Sequence, residues 1–171
     1  MKSMSKSLIA AVVLAVVAIG GYLGWSALDQ KPAAPDASFS LLDGKTVDLS
    51  AYRGKVLLVN FWATSCTTCV GEMPEMVKTY DQLSPKGFDL VAVAMSYDNP
   101  AFVRNFVQQR QLPFTVAFDA SGQTAKAFKD VRLTPTSFLI DKSGHIVKQY
   151  VGTPDFAELH QLIDKLLAQK A

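Results

Sequence analysis

Residues 56–74 read Val56-Leu57-Leu58-Val59-Asn60-Phe61-Trp62, then Ala63-Thr64-Ser65-Cys66-Thr67-Thr68-Cys69-Val70-Gly71-Glu72-Met73-Pro74. The first seven are almost wholly apolar and rich in branched side chains, the pattern of a strand covered on both faces. The residues that follow read as a helix, predicted over Thr67–Leu83 with Pro74 inside it. Cys66 and Cys69 are the only two cysteines of the 171 residues, and they fall at the junction. A Cys-x-x-Cys where a strand passes into a helix points first to redox chemistry. A thiolate is the nucleophile in thiol–disulfide exchange, and unpaired N–H groups at a helix N-terminus stabilise it. Cys66 sits at that terminus and would attack. Cys69, one turn in, would resolve the mixed disulfide.

Other readings of the pair stay open on residues alone. As a structural disulfide it closes a loop too short to stabilise much, about 2 kcal/mol against about 4–5 for a hundred-residue loop. As a zinc site it lacks a second cysteine pair, and the only histidines are His145 and His160. As a Cu(I) site it offers two soft ligands with no well-placed third. A peroxidase would need one peroxidatic cysteine in a motif of its own.

Outward from the motif the pattern alternates. Phe39–Leu49 around Asp43-Gly44 reads as a hairpin. Asp89–Met95 reads as a second buried strand, and Asn99-Pro100 as the cap and first position of a helix to Arg110. That helix is expected to bury Phe102, Val103, Phe106 and Val107. Phe114–Phe118 reads as a strand and 124–129 as a short helix. Thr136–Ile140 and His145–Val151 flank the turn Asp141-Lys142-Ser143-Gly144, and a last helix is expected from Thr153-Pro154. His145 and His160 are expected to be solvated. The whole reads as an α/β domain with a mixed central sheet flanked by helices, an N-terminal β-hairpin and an inserted strand–helix segment.

The first 28 residues are a separate object. Leu8–Leu28 carries no charge, and its 21 residues would span roughly 31 Å as a helix, about a bilayer's hydrocarbon thickness. Residues 1–28 are expected to be an uncleaved membrane anchor with Lys2 and Lys6 on the cytoplasmic side. Cleavage after Ser26 or Ala27 is the alternative. Residues 29–37, with Pro32 and Pro35, read as a linker, and 38–171 as the domain. The formal charge is +2, and with Lys2 and Lys6 set aside the remainder is balanced, which removes the electrostatic case for nucleic acid.

Phe61-Trp62-Ala63-Thr64, Cys66-x-x-Cys69, Glu72 and Pro74, followed by Thr134-Pro135-Thr136-Ser137-Phe138-Leu139-Ile140-Asp141, resemble the thioredoxin superfamily. Within it the chain is similar to the membrane-anchored TlpA/ResA/CcmG group over about residues 37–168. The resemblance implies that Pro135 is a cis-proline facing the dithiol, with Thr134 free to pair with a substrate strand. It implies that Glu72 moves a proton to or from Cys69. Trp62 is expected to lie in the core at its ring and to floor the substrate site at its edge. Asn60 stands where cytoplasmic thioredoxins carry a buried aspartate, so Glu72 is the natural replacement. The group further implies a monomeric reductase of protein disulfides, without cofactor or metal, facing the periplasm from the bacterial inner membrane. An integral membrane thiol donor would recharge it. Its usual setting is cytochrome c maturation, with apocytochrome c or a maturation partner as substrate; a disulfide oxidase is the alternative. Two departures stand out: Ser65 in place of a tryptophan, and Thr67-Thr68 between the cysteines.

Overall fold

The computed structural model describes residues 14–17, 20–21 and 31–169. The chain divides into two units, Met1–Lys31 and Pro32–Ala171. Most of the expected anchor lies outside the described residues. Residues 14–17, 20 and 21 are helical, and among the described residues no helix is long and apolar enough to cross a membrane.

The second unit is built on a five-stranded mixed sheet. β3 (Val56–Trp62) lies at its centre, parallel to β4 (Phe88–Ala94) and antiparallel to β6 (Thr136–Ile140). β5 (Thr115–Phe118) and β7 (Ile146–Val151) take the two edges. All seven residues of β3 are buried because both faces of the sheet are covered. Successive side chains of a strand point to opposite faces. Val56, Leu58 and Trp62 accordingly join one core with α1 (Thr67–Leu83), α2 (Pro100–Arg110) and α4 (Phe156–Leu167). Leu57, Val59 and Phe61 join the other, with Phe39, Leu49, Ala125 of α3 (Gln123–Ala127) and Phe128. By the same alternation Asn60 faces the α1 side, which positions the site.

The hairpin forms from β1 (Ser38–Ser40) and β2 (Thr46–Asp48), turning at Gly44 with φ +87°, a left-handed conformation that favours glycine. From Pro32 the segment read as linker pairs with the domain: the Ile146 N–H donates to the Pro32 carbonyl and the Ala34 N–H to that of Gly144. The prolines keep this segment extended, and it covers the start of edge strand β7.

Three expectations need correction. Phe102 is 63% exposed, while Val103 is buried and Phe106 packs against the core. At 100° per residue Phe102 stands roughly 90° round the helix from the centre of that buried face. The last helix begins at Phe156 rather than at Thr153-Pro154, because the Asp155 carboxylate caps it by accepting from the Ala157 and Glu158 N–H groups. His160 is half-buried, with Nε2 2.7 Å from Thr79 Oγ1. The Thr79 hydroxyl already donates to the Glu75 carbonyl, so the histidine donates to Thr79.

Candidate active site

β3 ends at Trp62, and the chain turns through Ala63–Ser65 into α1. Cys66 has extended backbone angles, φ −89° and ψ 102°, and its sulfur caps the helix by accepting from the Cys69 N–H at 3.2 Å. Cysteine thus stands where serine or aspartate usually cap, and an anionic sulfur here would gain the same bond and the positive end of the helix. Cys66 and Cys69 form a disulfide with their Cα atoms 5.2 Å apart. Cys66 is half-exposed and Cys69 fully buried, so an incoming sulfur can reach only the first. The Thr67 and Thr68 side chains between them are exposed.

Opposite Cys66 lies the loop into β6. The Thr134–Pro135 bond is cis, and the Thr134 carbonyl oxygen is 3.6 Å from Cys66 Sγ. Pro135 is itself buried and Thr134 half-exposed. Antiparallel pairing of β6 with β3 brings the two together, since Thr136 lies opposite Phe61. Trp62 lies in the core at its ring as expected, packed on Phe106 with centroids 5.2 Å apart, but its edge needs correction as a substrate contact because the whole side chain is buried.

Glu72 stands one turn after Cys69 on the same helix face and is only 3% exposed. Asn60 Nδ2 donates to Glu72 Oε1 at 2.9 Å and to Ser137 Oγ at 3.0 Å. Burial raises the Glu72 carboxyl from its usual 4.5 to about 7, and the Asn60 amide and Thr153 hydroxyl, which favour the charged form, offset it only partly. A carboxyl balanced near neutrality beside a buried cysteine can both take and return a proton.

Two further residues join the site from the loop after β4. The Asp98 carboxylate accepts from the Thr64 N–H at 2.5 Å, the Thr64 hydroxyl at 2.6 Å and the Asn99 N–H at 2.7 Å. Its neighbour Tyr97 is 59% exposed and holds Thr134 Oγ1 at 3.1 Å through its hydroxyl. One short loop therefore touches both walls of the cleft around Cys66. Asp98→Asn is expected to lose one acceptor for Thr64 and with it about 1–3 kcal/mol of stability. Urea unfolding measures the loss, and an unchanged midpoint would mean the bracket is idle.

A family model for Redoxin matches residues 29–163 of the chain. The chain belongs to the Redoxin family. Among its relatives, the thiol-disulfide oxidoreductase ResA of Bacillus cereus is 34% identical over 149 residues, 85% of each chain. Among solved structures, a Neisseria meningitidis protein described as a thioredoxin shares 46% identity at a TM-score of 0.73, covering 81% of this chain and 91% of that one. A Chlorobium tepidum structure, described as the thiol:disulfide interchange protein DsbE, shares 36% identity at a TM-score of 0.74, covering 82% of this chain and 99% of that one. These matches show the thioredoxin-like α/β fold and place this Redoxin-family chain with ResA- and DsbE-like proteins.

The structure brings Cys66, Cys69, Glu72, Thr134 and Pro135 of the sequence reading into one site. Asp98, Tyr97, Ser137 and Thr153 were not anticipated. Asp98 precedes the recognised Asn99-Pro100 helix start, but nothing local says that its carboxylate turns back to Thr64. Ser137 could have been found by aligning β6 antiparallel to β3, which sets it opposite Asn60.

Proposed function

We propose that the protein is a membrane-tethered, extracytoplasmic thiol–disulfide oxidoreductase that reduces disulfides in other proteins. The observation that carries this reading is the Cys66–Cys69 disulfide at the start of α1, half-open at Cys66, with a buried Glu72 one turn beyond Cys69. In the reduced protein the Cys66 thiolate attacks one sulfur of a substrate disulfide. A Cys66–substrate disulfide forms, and the substrate's other sulfur leaves as a thiolate. Glu72 takes the proton from Cys69, and the Cys69 thiolate attacks Cys66 Sγ. The internal disulfide closes and the reduced substrate departs. A thiol donor in the membrane returns two electrons and two protons to the pair.

The apolar run Leu8–Leu28 supports the tether, with the domain facing the periplasm of a bacterial inner membrane. The motif resemblance to the TlpA/ResA/CcmG group supports cytochrome c maturation as the setting, with apocytochrome c cysteines or a maturation partner as substrate. The chain acts as a monomer without cofactor. The direction of transfer is tested by the reduction potential of the Cys66–Cys69 couple. A value near thioredoxin's, about −270 mV, is expected, whereas one near DsbA's, about −120 mV, would make the protein an oxidase.

A substrate strand reaching Cys66 passes Thr134, with the exposed side chains of Tyr97 and Leu133 beside it. Losing an aromatic contact of about 1.4 kcal/mol weakens binding about tenfold. Tyr97→Ala is therefore expected to raise KM for a protein disulfide about tenfold, with far less effect on a small aromatic disulfide. Equal losses on both substrates would place Tyr97 outside the binding surface.

A further inference from the structure

The polar group beneath the dithiol has acceptors left over. Asn60 and Ser137 face one another across β3 and β6, and both are fully buried. The Asn60 amide nitrogen carries two hydrogens, one given to Glu72 Oε1 and the other to Ser137 Oγ. Asn60 Oδ1 and Glu72 Oε2 remain, both buried; no donor stands in hydrogen-bond geometry to either, the Thr153 hydroxyl acting on the carboxyl without closing a bond to Oε2. Buried acceptors without donors are rare because their hydration is lost with nothing in return. Here the two belong to side chains that are already joined by one bond. A carboxylic acid and a primary amide have complementary edges, each with one donor and one acceptor. A hydrogen on Oε2 shared with Oδ1 would complete that pairing and give each atom its missing partner.

We infer that Asn60 is a positioning residue for the Glu72 proton: its Nδ2 holds Oε1, and its Oδ1 receives the hydrogen on Oε2 whenever Glu72 is protonated. This rests on the proposed acid–base role of Glu72. When Glu72 takes the Cys69 proton, the S–H bond breaks, an O–H bond forms at Oε2, and the hydrogen is held against Asn60 Oδ1. Cys69 is left as the thiolate that attacks Cys66 Sγ. Ser137 accepts the second amide hydrogen and so fixes which edge of Asn60 meets the carboxyl. The other groups acting on Glu72 are uncharged, Asn60 from β3 and Thr153 from the loop before α4, and Cys69 is the titratable neighbour on its own helix. An aspartate at position 60 would put two acids on one proton, whereas the amide leaves Glu72 the sole carboxyl of the pair.

Carbon-13 NMR on the full oxidised chain, labelled at asparagine and glutamate, tests this between about pH 5 and pH 9. The Asn60 side-chain carbonyl carbon is expected to move downfield as pH falls, with the midpoint of the Glu72 carboxyl carbon. In Glu72→Gln that movement disappears. Asn60→Leu, close in size and apolar, is expected to slow release of reduced substrate several-fold. An Asn60 carbonyl that stays fixed while Glu72 titrates overturns the inference, as does a Glu72 that remains ionised throughout. An unchanged release rate in Asn60→Leu overturns the positioning role. If the two carbons titrate together yet Glu72→Gln reduces substrate at the normal rate, the proton's place stands and the acid–base role of Glu72 falls.

Discussion

Glu72→Gln slows release of reduced substrate by about 10²–10⁴-fold, and slows the first attack by Cys66 far less. The variant keeps the size of the side chain and its contact with Asn60, but it cannot take the Cys69 proton. With the carboxyl raised by burial to about 7, it is protonated and idle as a base at low pH. The resolving step in the wild type therefore accelerates as pH rises through about 7 and then levels, and the variant lacks that rise. Stopped-flow measurement of mixed-disulfide formation and decay separates the two steps. Decay at the wild-type rate across this range would reduce Glu72 to a helix residue.

The same group ties stability to pH. The folded value of about 7 lies above the unfolded 4.5, so the folded state binds more protons between them. Its contribution is fully present below about 4.5 and is lost as pH rises to about 7, up to about 3 kcal/mol in all. Urea unfolding of the oxidised protein is expected to show that decline, and Glu72→Gln to flatten it.

Phe138→Ala is expected to cost about 3–5 kcal/mol, a large share of the 5–15 kcal/mol typical of a domain. The Phe138 ring meets Phe128 at 5.2 Å and Phe61 at 6.1 Å, and Phe61 meets Phe128 at 5.4 Å, so each ring of the triangle touches both others. All three are fully buried, and Phe61 meets both other rings at 61° and 85°, the edge-to-face packing that aromatic pairs favour, while Phe128 and Phe138 are tilted at 56°. Truncation leaves a cavity that neither β3 nor the Phe128 loop can fill without moving. Phe138 stands one residue after Ser137 and three after Pro135, so the loss also loosens the strand that holds the cleft's second wall. Chemical denaturation measures the effect, and a cost under about 1.5 kcal/mol would mean that the neighbours collapse into the gap.

The central strand, the helix after it and the dithiol at their junction were legible because each rests on near neighbours in the chain. Seven apolar residues in a row leave no solvent face, so β3 had to be covered on both sides. The Asp-Gly turn announced the hairpin, and Asn99-Pro100 the start of α2. The Phe102 error has the opposite origin: a helical stripe says which residues can be buried, while the neighbouring surface sets how much of the stripe it covers. Trp62 was rightly placed beside the cysteines, yet the face it presents depends on Phe106, more than forty residues away.

Local patterning and residue chemistry determined that this chain carries a nucleophilic sulfur at a helix N-terminus, a partner one turn behind it and a glutamate one turn further. By themselves they left open the second wall of the cleft, which only the family resemblance placed at Thr134 and Pro135, and the state of that glutamate. Both came from strand pairing: β6 running antiparallel to β3 sets Thr134 against Cys66 and Ser137 against Asn60, and packing of α1 on the sheet buries Glu72 between them. Short-range preferences act within a turn or two, but a carboxyl's proton affinity depends on everything within a few ångströms of it, whatever the separation in sequence. The Cys66–Cys69 motif and its glutamate could therefore be read from the chain, while the raised proton affinity of Glu72, the bracket at Asp98 and the rim at Tyr97 exist only once the sheet has closed.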